Sequence, residues 1–518
     1  VSGLSTYIFQ LFKGAVLKKL SIIFYVIMAF TFPNCGNTVH KDDKTDNLSD
    51  LDSLVEPDED IVETPLIFDV KVEKNEKNVL SCRLTFKTKE KIKTVVKYFA
   101  QNHNGYEIVE ENEGVEHYYF LWGMRAETKY IIEIYDAKEP EELLEKTEYV
   151  SGALPDTVPE TFLAVNDHDK IFDGFLLFTL SATVEERAFP IAFMMDTDGE
   201  IIWYFEYYMA GFNILGDLQY TEETSTILVS LVKGLNMEDI PAEEAIEIDL
   251  EGNILWKSRE FPNVYGDDHS WHHTYEKLED GTIVFLRRDM LGTLVSDMIV
   301  NVDSDYNELW KWRYLDHFEP PFCDPAVWCD WTHSNTVTMF KDAGVVYLNS
   351  RNMSKYFKID MYSGNIVWTL GQDGDFTIEA DEPNPWFEFA HDPEIKEFNG
   401  DTVIFYDNGS LERGFSRVIE YKLNFEEMTA EISFLFDGSE INKMWFNEYW
   451  GDADSLPNGN IFVTAGDYQL YSDSRFFEVT REGEIVWELF MGKEKDWMHT
   501  LYNAQKFVPP LKKLQVKN

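Results

Sequence analysis

Residues 194–205 read MMDTDGEIIWYF: an apolar run, a turn built from Asp and Gly, then a second apolar run that carries tryptophan. Asp and Gly are residues a tight reversal asks for, and each flanking run is of strand length. The same unit returns as EIDLEGNILWKS (247–258), NVDSDYNELWKW (301–312), KIDMYSGNIVWTL (358–370) and EVTREGEIVWEL (478–489). A degenerate copy, EYKLNFEEMTAEISFLF (420–436), fills the gap before the last. Trp203, Trp256, Trp310, Trp368 and Trp487 are separated by 53, 54, 58 and, across the degenerate copy, 119 residues. A second strand signal falls between tryptophans: KLEDGTIVFL, MFKDAGVVYL, EFNGDTVIFY and SLPNGNIFVT. A period of about 55 residues with several strands per repeat describes propeller blades. The expected fold is therefore all-β, with a six-bladed β-propeller over residues 156–518. The tail YNAQKFVPPL (502–511) is expected to close the ring or pack beneath it.

Ahead of the repeats, residues 64–155 hold alternating strands such as VLSCRLTFKT, HYYFLWGM and KYIIEIYD. Leu121, Thr128 and Tyr130 are spaced like the tyrosine corner of a fibronectin-like β-sandwich, so a small N-terminal sandwich is expected. Further upstream, Lys18 and Lys19 precede an apolar run, Leu20–Phe32, too short to span a bilayer but right for the core of a signal peptide. Residues 1–35 are read as that signal, with Val16 or Leu17 as an alternative start. Cys35 and the acidic linker 36–63 complete the layout of a bacterial lipoprotein, with Cys35 as the lipid site and a membrane tether as its consequence. An ordinary export signal is the rival reading. Either way the protein is expected to be exported, in the periplasm or anchored at the outer membrane.

The chain carries 94 acidic and 45 basic residues, a formal net charge of −49. Such a surface repels polynucleotides, which excludes nucleic acid as a partner. An anionic substrate would need a locally positive pocket. Of the cysteines, Cys323 and Cys329 lie six apart, and in an exported protein that spacing favours a small disulfide loop. A zinc site with His333 lacks a fourth ligand.

Among 11 histidines, two recur at one position of the repeat. His333 follows Trp310 by 23 residues and His391 follows Trp368 by 23, while His272 and His273 follow Trp256 by 16 and 17. Equivalent positions in successive blades converge on the channel mouth, so three blades point an imidazole at one funnel. Arg351 ends the strand VVYLNSR in the blade that begins at His333. A guanidinium among imidazoles suits a tetrahedral oxyanion. Three imidazoles would also suit zinc or copper, but a fixed cation beside a divalent metal is unfavourable, and neither metal nor cofactor is expected. The remaining histidines, His40, His103, His117, His168, His269, His317 and His499, read as structural, and the repeat tryptophans as core.

In HHTYEKLEDG, DWTHSNTV, the NSR ending at Arg351, FAHDPEIKEF followed by FYDNG, and SRVIEY (416–421), the chain resembles the bacterial arylsulfate sulfotransferases that use no nucleotide sulfate donor. The resemblance implies that His391 is a nucleophile, taking sulfuryl from a phenolic sulfate ester as a sulfohistidine and passing it to a phenol by a ping-pong mechanism. It implies that His333, Arg351 and one of His272 and His273 hold the sulfate oxygens, with His333 able to protonate the leaving phenolate. Trp331, Trp328 and Trp386 would stack on the aromatic rings, and Asn335, Asn408 and Arg417, within the matching motifs, would join them as substrate contacts. A homodimer is compatible with it. The same residues would also serve a propeller that binds aromatic or anionic ligands, or a partner protein, without chemistry.

Overall fold

In the computed structural model the described residues are 66–514, apart from 102, 157, 180–186, 210–212, 234–241, 259–270, 325, 467–473, 492–500 and 509. The signal segment, Cys35 and the linker lie outside them, as do His40, His269 and His499. Strands make up nearly all regular structure, joined by two short 3₁₀ turns, and no described helix is long and apolar enough to cross a membrane.

Two sheets come from the first part of the chain. Ile67–Lys74, Cys82–Ile92 and Gly114–Leu121 form one; His103–Val109, Thr94–Ala100, Lys129–Asp136 and Glu139–Val150 form the other. Alternating apolar residues from both, including Leu84, Phe86, Val96, Tyr119 and Ile132, share one buried core, as period-two patterning dictates. The Tyr130 hydroxyl accepts the Arg125 N–H at 2.9 Å, tying its strand to the turn that precedes it.

Among the described residues six further, mainly antiparallel, sheets follow in chain order. Each of the middle four opens on a strand of its own: Asn213–Thr221, Trp271–Lys277, Ser334–Phe340 and His391–Glu394, and the last opens on Asp452–Ser455. These opening strands lie side by side from one sheet to the next. The earliest sheet in sequence, Phe175–Thr179, Arg187–Met195 and Ile201–Met209, takes its edge strand from the far end of the chain, Ala504–Phe507. Two more strands leave their sequence neighbourhood. Thr161–Asn166 adds to the last sheet beside Ile485–Met491, and Lys512–Leu514 returns to pair with His103–Val109.

The repeated motif has a physical explanation. Its Asp folds the turn by accepting backbone N–H groups: Asp249 from Asn253 at 2.7 Å, Asp303 from Asn307 at 2.8 Å and Asp360 from Ser363 at 2.8 Å. Its Trp reaches across to the corresponding turn of the next sheet. Trp203 donates to Leu250 O at 2.8 Å, Trp310 to Met361 O at 2.9 Å, and Trp487 of the last sheet to Thr197 O of the first at 2.9 Å. These three tryptophans therefore pack sheet against sheet while each donates its indole N–H to a turn carbonyl.

Candidate active site

The opening strands of three consecutive sheets are irregular where they begin. Register breaks between His272 and Tyr275, between Ser334 and Thr336, and between His391 and Glu394. Beside these breaks, His273 (φ 56°), His333 (φ 42°) and Asp392 (φ 41°) adopt left-handed backbone that residues with side chains rarely take. A bulge re-aims side chains, and such strain concentrates where a site needs a particular direction. Here it gathers the predicted imidazoles. The rings of His273 and His333 meet edge to face with centroids 5.1 Å apart, and His391 lies close enough to act electrostatically on His273 and to feel His333.

His391 is buried, and its tautomer is fixed by its neighbour. Asn408 spends both amide N–H groups on the carbonyls of Asn447 and Trp450, at 2.9 and 2.7 Å. Its Oδ1 must then accept from His391 Nδ1–H, at 2.8 Å, which leaves the ring's lone pair on Nε2. Burial, followed by the charges of Arg351 and His333, holds the His391 pKa down at about 3 despite that bond. At neutral pH the ring is an uncharged base.

His333 differs. Its Nδ1 lies 2.6 Å from Asp330 Oδ2, and its backbone carbonyl accepts the Arg351 N–H at 3.2 Å. The pair His272/His273 now divides. His273 turns toward His333 and toward Tyr502, whose ring centroid is 6.1 Å away; burial first, then neighbouring His272, His333, His391 and Arg288, keep it far below the ordinary imidazole range. His272 stands behind it, Nδ1 against Nδ1 at 2.8 Å, with Nε2 3.1 Å from Asp297 but off the line of a hydrogen bond. Burial raises the Asp297 pKa, but His272, Ser334 and Thr332 outweigh it and hold the carboxyl at about 2.

Arg351 is the cation of the site. Its guanidinium lies between the rings of Phe389 and Tyr449, at 5.1 and 5.0 Å. It donates to Asn352 Oδ1 and to Glu448 O, and Nε is buried with no partner. Other buried arginines are neutralised: Arg413 and Arg417 by Asp407, at 2.7 Å each, and Arg475 by Glu488 at 2.7 Å. Among the described residues Arg351 has no such carboxylate. The carboxylates of Asp330 and Glu448 act on it only from beyond hydrogen-bonding reach. A buried guanidinium with no carboxylate in contact is costly, and an anion seated beside it would reduce the cost.

The other predicted contacts lie in the supporting scaffold. Asn408 orients His391 as described. Asn335 donates to Ala390 O at 3.0 Å, steadying the residue before His391. Arg417 is consumed by Asp407, Glu382 and the carbonyls of Asn384 and Trp386. Trp386 packs on Tyr421, and Trp331 packs among core residues beside Tyr314. Trp328 is 42% exposed. Cys323 and Cys329 are joined by a disulfide. Sequence reasoning missed the roles of Asp330 and Asp297 and the aromatic wall of Phe389, Tyr449 and Tyr502; an acid three residues before a histidine was the one signal in view.

A cavity of about 1140 Å³ opens at the opposite ends of these opening strands, lined by Tyr220, Glu222, Glu276, Phe340 and Asp342 among others. Burial there pushes the Glu276 carboxyl up to about 7. Carboxylates dominate its polar lining, which suits it poorly to an anion.

Comparison with known proteins adds an independent finding. The search of curated proteins found no match. Among solved structures, the chain is similar to a protein from Lactobacillus plantarum (12% identity, TM-score 0.35, covering 82% of this chain and 100% of that one). It is similar also to a luciferin-regenerating enzyme (9% identity, TM-score 0.34, 67% and 99%) and to Kuenenia stuttgartiensis hydrazine synthase (10% identity, TM-score 0.25, 71% and 96%). Likenesses this distant carry no argument about the chain. The family comparison does: the arylsulfotransferase (ASST) model matches residues 153–495, more than half of the chain and all of the imidazole site. The chain belongs to the arylsulfotransferase family, and with it to the sulfotransferases that act on small phenolic substrates.

Proposed function

We propose that the protein is an exported aryl-sulfate sulfotransferase that works in two half-reactions through His391, in a closed six-bladed propeller. The observation that carries this reading is Arg351, buried among the described residues with no carboxylate in direct contact, near a neutral imidazole whose Nε2 holds a lone pair. Nε2 attacks the ester sulfur, the S–O bond to the phenol breaks, and sulfuryl rests on His391. A phenol acceptor then attacks the same sulfur, and the S–N bond breaks to regenerate the imidazole. Negative charge builds on the equatorial oxygens at each transition state, where Arg351 and His273 supply donors held in place beforehand. The six sheets, their adjoining first strands, and the bond from Trp487 back to Thr197 support closure into a ring. Export rests on the apolar run and acidic tether of the sequence.

The test is transfer from an aryl sulfate to a phenol, with intact mass recorded after donor alone. We expect one sulfuryl group added to the wild type and none to His391→Ala, which should also lose transfer. Saturable donor binding without transfer or a mass change would replace this reading with that of a binding propeller.

A further inference from the structure

The three site imidazoles are held by chemically different partners. His391 leans on a neutral amide, which fixes its tautomer but favours a charged ring too little to offset burial. His273 leans on another imidazole. His333 alone of the three touches a carboxylate directly, Asp330 Oδ2 at 2.6 Å. A carboxylate on Nδ1 orients an imidazole and balances the full charge of the imidazolium, whereas an amide orients it with no counter-charge.

Asp330 is itself held on several sides. Its carbonyl accepts Asn352 Nδ2 at 2.7 Å, and Cys329–Asp330 pairs with Leu294 and Val295 of the preceding sheet. The disulfide ties Cys329, its chain neighbour, to Cys323. Its second oxygen, Oδ1, is buried with no hydrogen-bond partner, so His333 is the side chain its carboxylate contacts, while Arg351 acts on it from further off. On the other side, the His333 carbonyl is pinned by the Arg351 backbone, and Asn352 bonds Arg351 Nη1 at 2.8 Å as well as Asp330. One short network thus sets the acid, the ring and the guanidinium in register.

We propose that Asp330 is the positioning residue that makes His333 the proton donor to the departing phenolate, an inference that rests on the sulfuryl-transfer reading above. In the first half-reaction His391 Nε2 forms the N–S bond, the S–O electron pair leaves with the phenolate, and the Nε2 proton of the His333 imidazolium passes to that oxygen. In the second, neutral His333 takes the acceptor's proton back as the acceptor oxygen bonds to sulfur and His391 is released.

Proton donation matters in proportion to how basic the leaving oxygen is. The test is therefore a series of aryl sulfates whose leaving phenols range from nitrophenols to alkylphenols, with kcat/KM for phenol release measured in wild type and Asp330→Asn. The variant should lose less than about threefold with the nitrophenyl donor and about a hundredfold or more with the alkylphenyl donor, as removal of a general acid predicts. The plot of log kcat/KM against leaving-group pKa steepens. A uniform loss across the series, or an unchanged slope, overturns the proposal. If Asp330→Asn does not fold, His333→Gln reads the same proton transfer, and an unchanged slope there overturns it equally. Failure of wild type to transfer from every donor sinks the parent reading instead, so the two failures are told apart.

Discussion

An imidazole that attacks sulfur must be unprotonated, and His391 is kept so by exclusion of water and by two neighbouring cationic groups. The same surroundings carry a cost in stability that can be measured. The unperturbed ring titrates at 6.5 and the folded one at about 3. As pH falls below 6.5, the unfolded chain binds a proton that the folded chain cannot, so stability is lost between those two values and is recovered as pH rises. At pH 5 the loss from this one group is about 2 kcal/mol. His391→Gln removes the term while the other titrating groups stay in place. The wild-type melting temperature should therefore fall more steeply than the variant's between pH 7 and pH 5. Parallel curves would show that the ring titrates normally in the fold.

At the scale of elements, the turn that carries Asn408 depends on Asp407 at the end of the strand Thr402–Asp407. Its carboxylate accepts Arg413 and Arg417 at 2.7 Å each, and also the Glu388 N–H at 2.8 Å, in the segment leading to His391. Asp407→Ala removes the carboxylate that two buried guanidinium groups share, leaving Arg417 with Glu382 and Arg413 with the more distant Glu388, which should cost about 3 kcal/mol. The melting temperature should drop accordingly, and sulfuryl transfer should weaken because Glu388 loses its anchor. A change within error would mean that water replaces the carboxylate. This element also marks a limit of sequence reading. FYDNG and SRVIEY were visible as motifs, yet Arg417 looked like a substrate contact. Asp407 and Arg417 are register partners across adjacent strands, and pairing of that kind depends on where a later strand lands. The same reason hid Asp297, whose partners come from residues 272 and 332–334, whereas Asp330 was missed although its signal was local, an acid three residues before His333.

The whole molecule was legible in a different way, because a period needs no knowledge of contacts. The tryptophan spacing announced the sheets, and the equal offsets of His333 and His391 announced a shared site. What the period could not say is which strand completes the earliest sheet, since Ala504–Phe507 lies more than 300 residues from its partner Phe175–Thr179 and carries no copy of the motif. That seam draws on several interactions. Lys506 is buried against Glu478 of the last sheet and lies over the Trp487 ring, Glu478 also accepts the Phe172 N–H, and Trp487 reaches Thr197. Removal of residues 504–518 deletes the strand and the lysine together. It strips one edge from a sheet whose inner faces are buried, leaves Glu478 as an uncompensated buried charge, and opens a ladder of unpaired backbone groups. If the six sheets close as a ring at this seam, the loss is not confined to one sheet. The truncated protein should then fail to show a cooperative thermal transition and should have no transfer activity, although every imidazole of the site remains in the chain. A truncated chain that melts within a few degrees of the full one, or keeps its activity, would mean that the sheets stand without the seam.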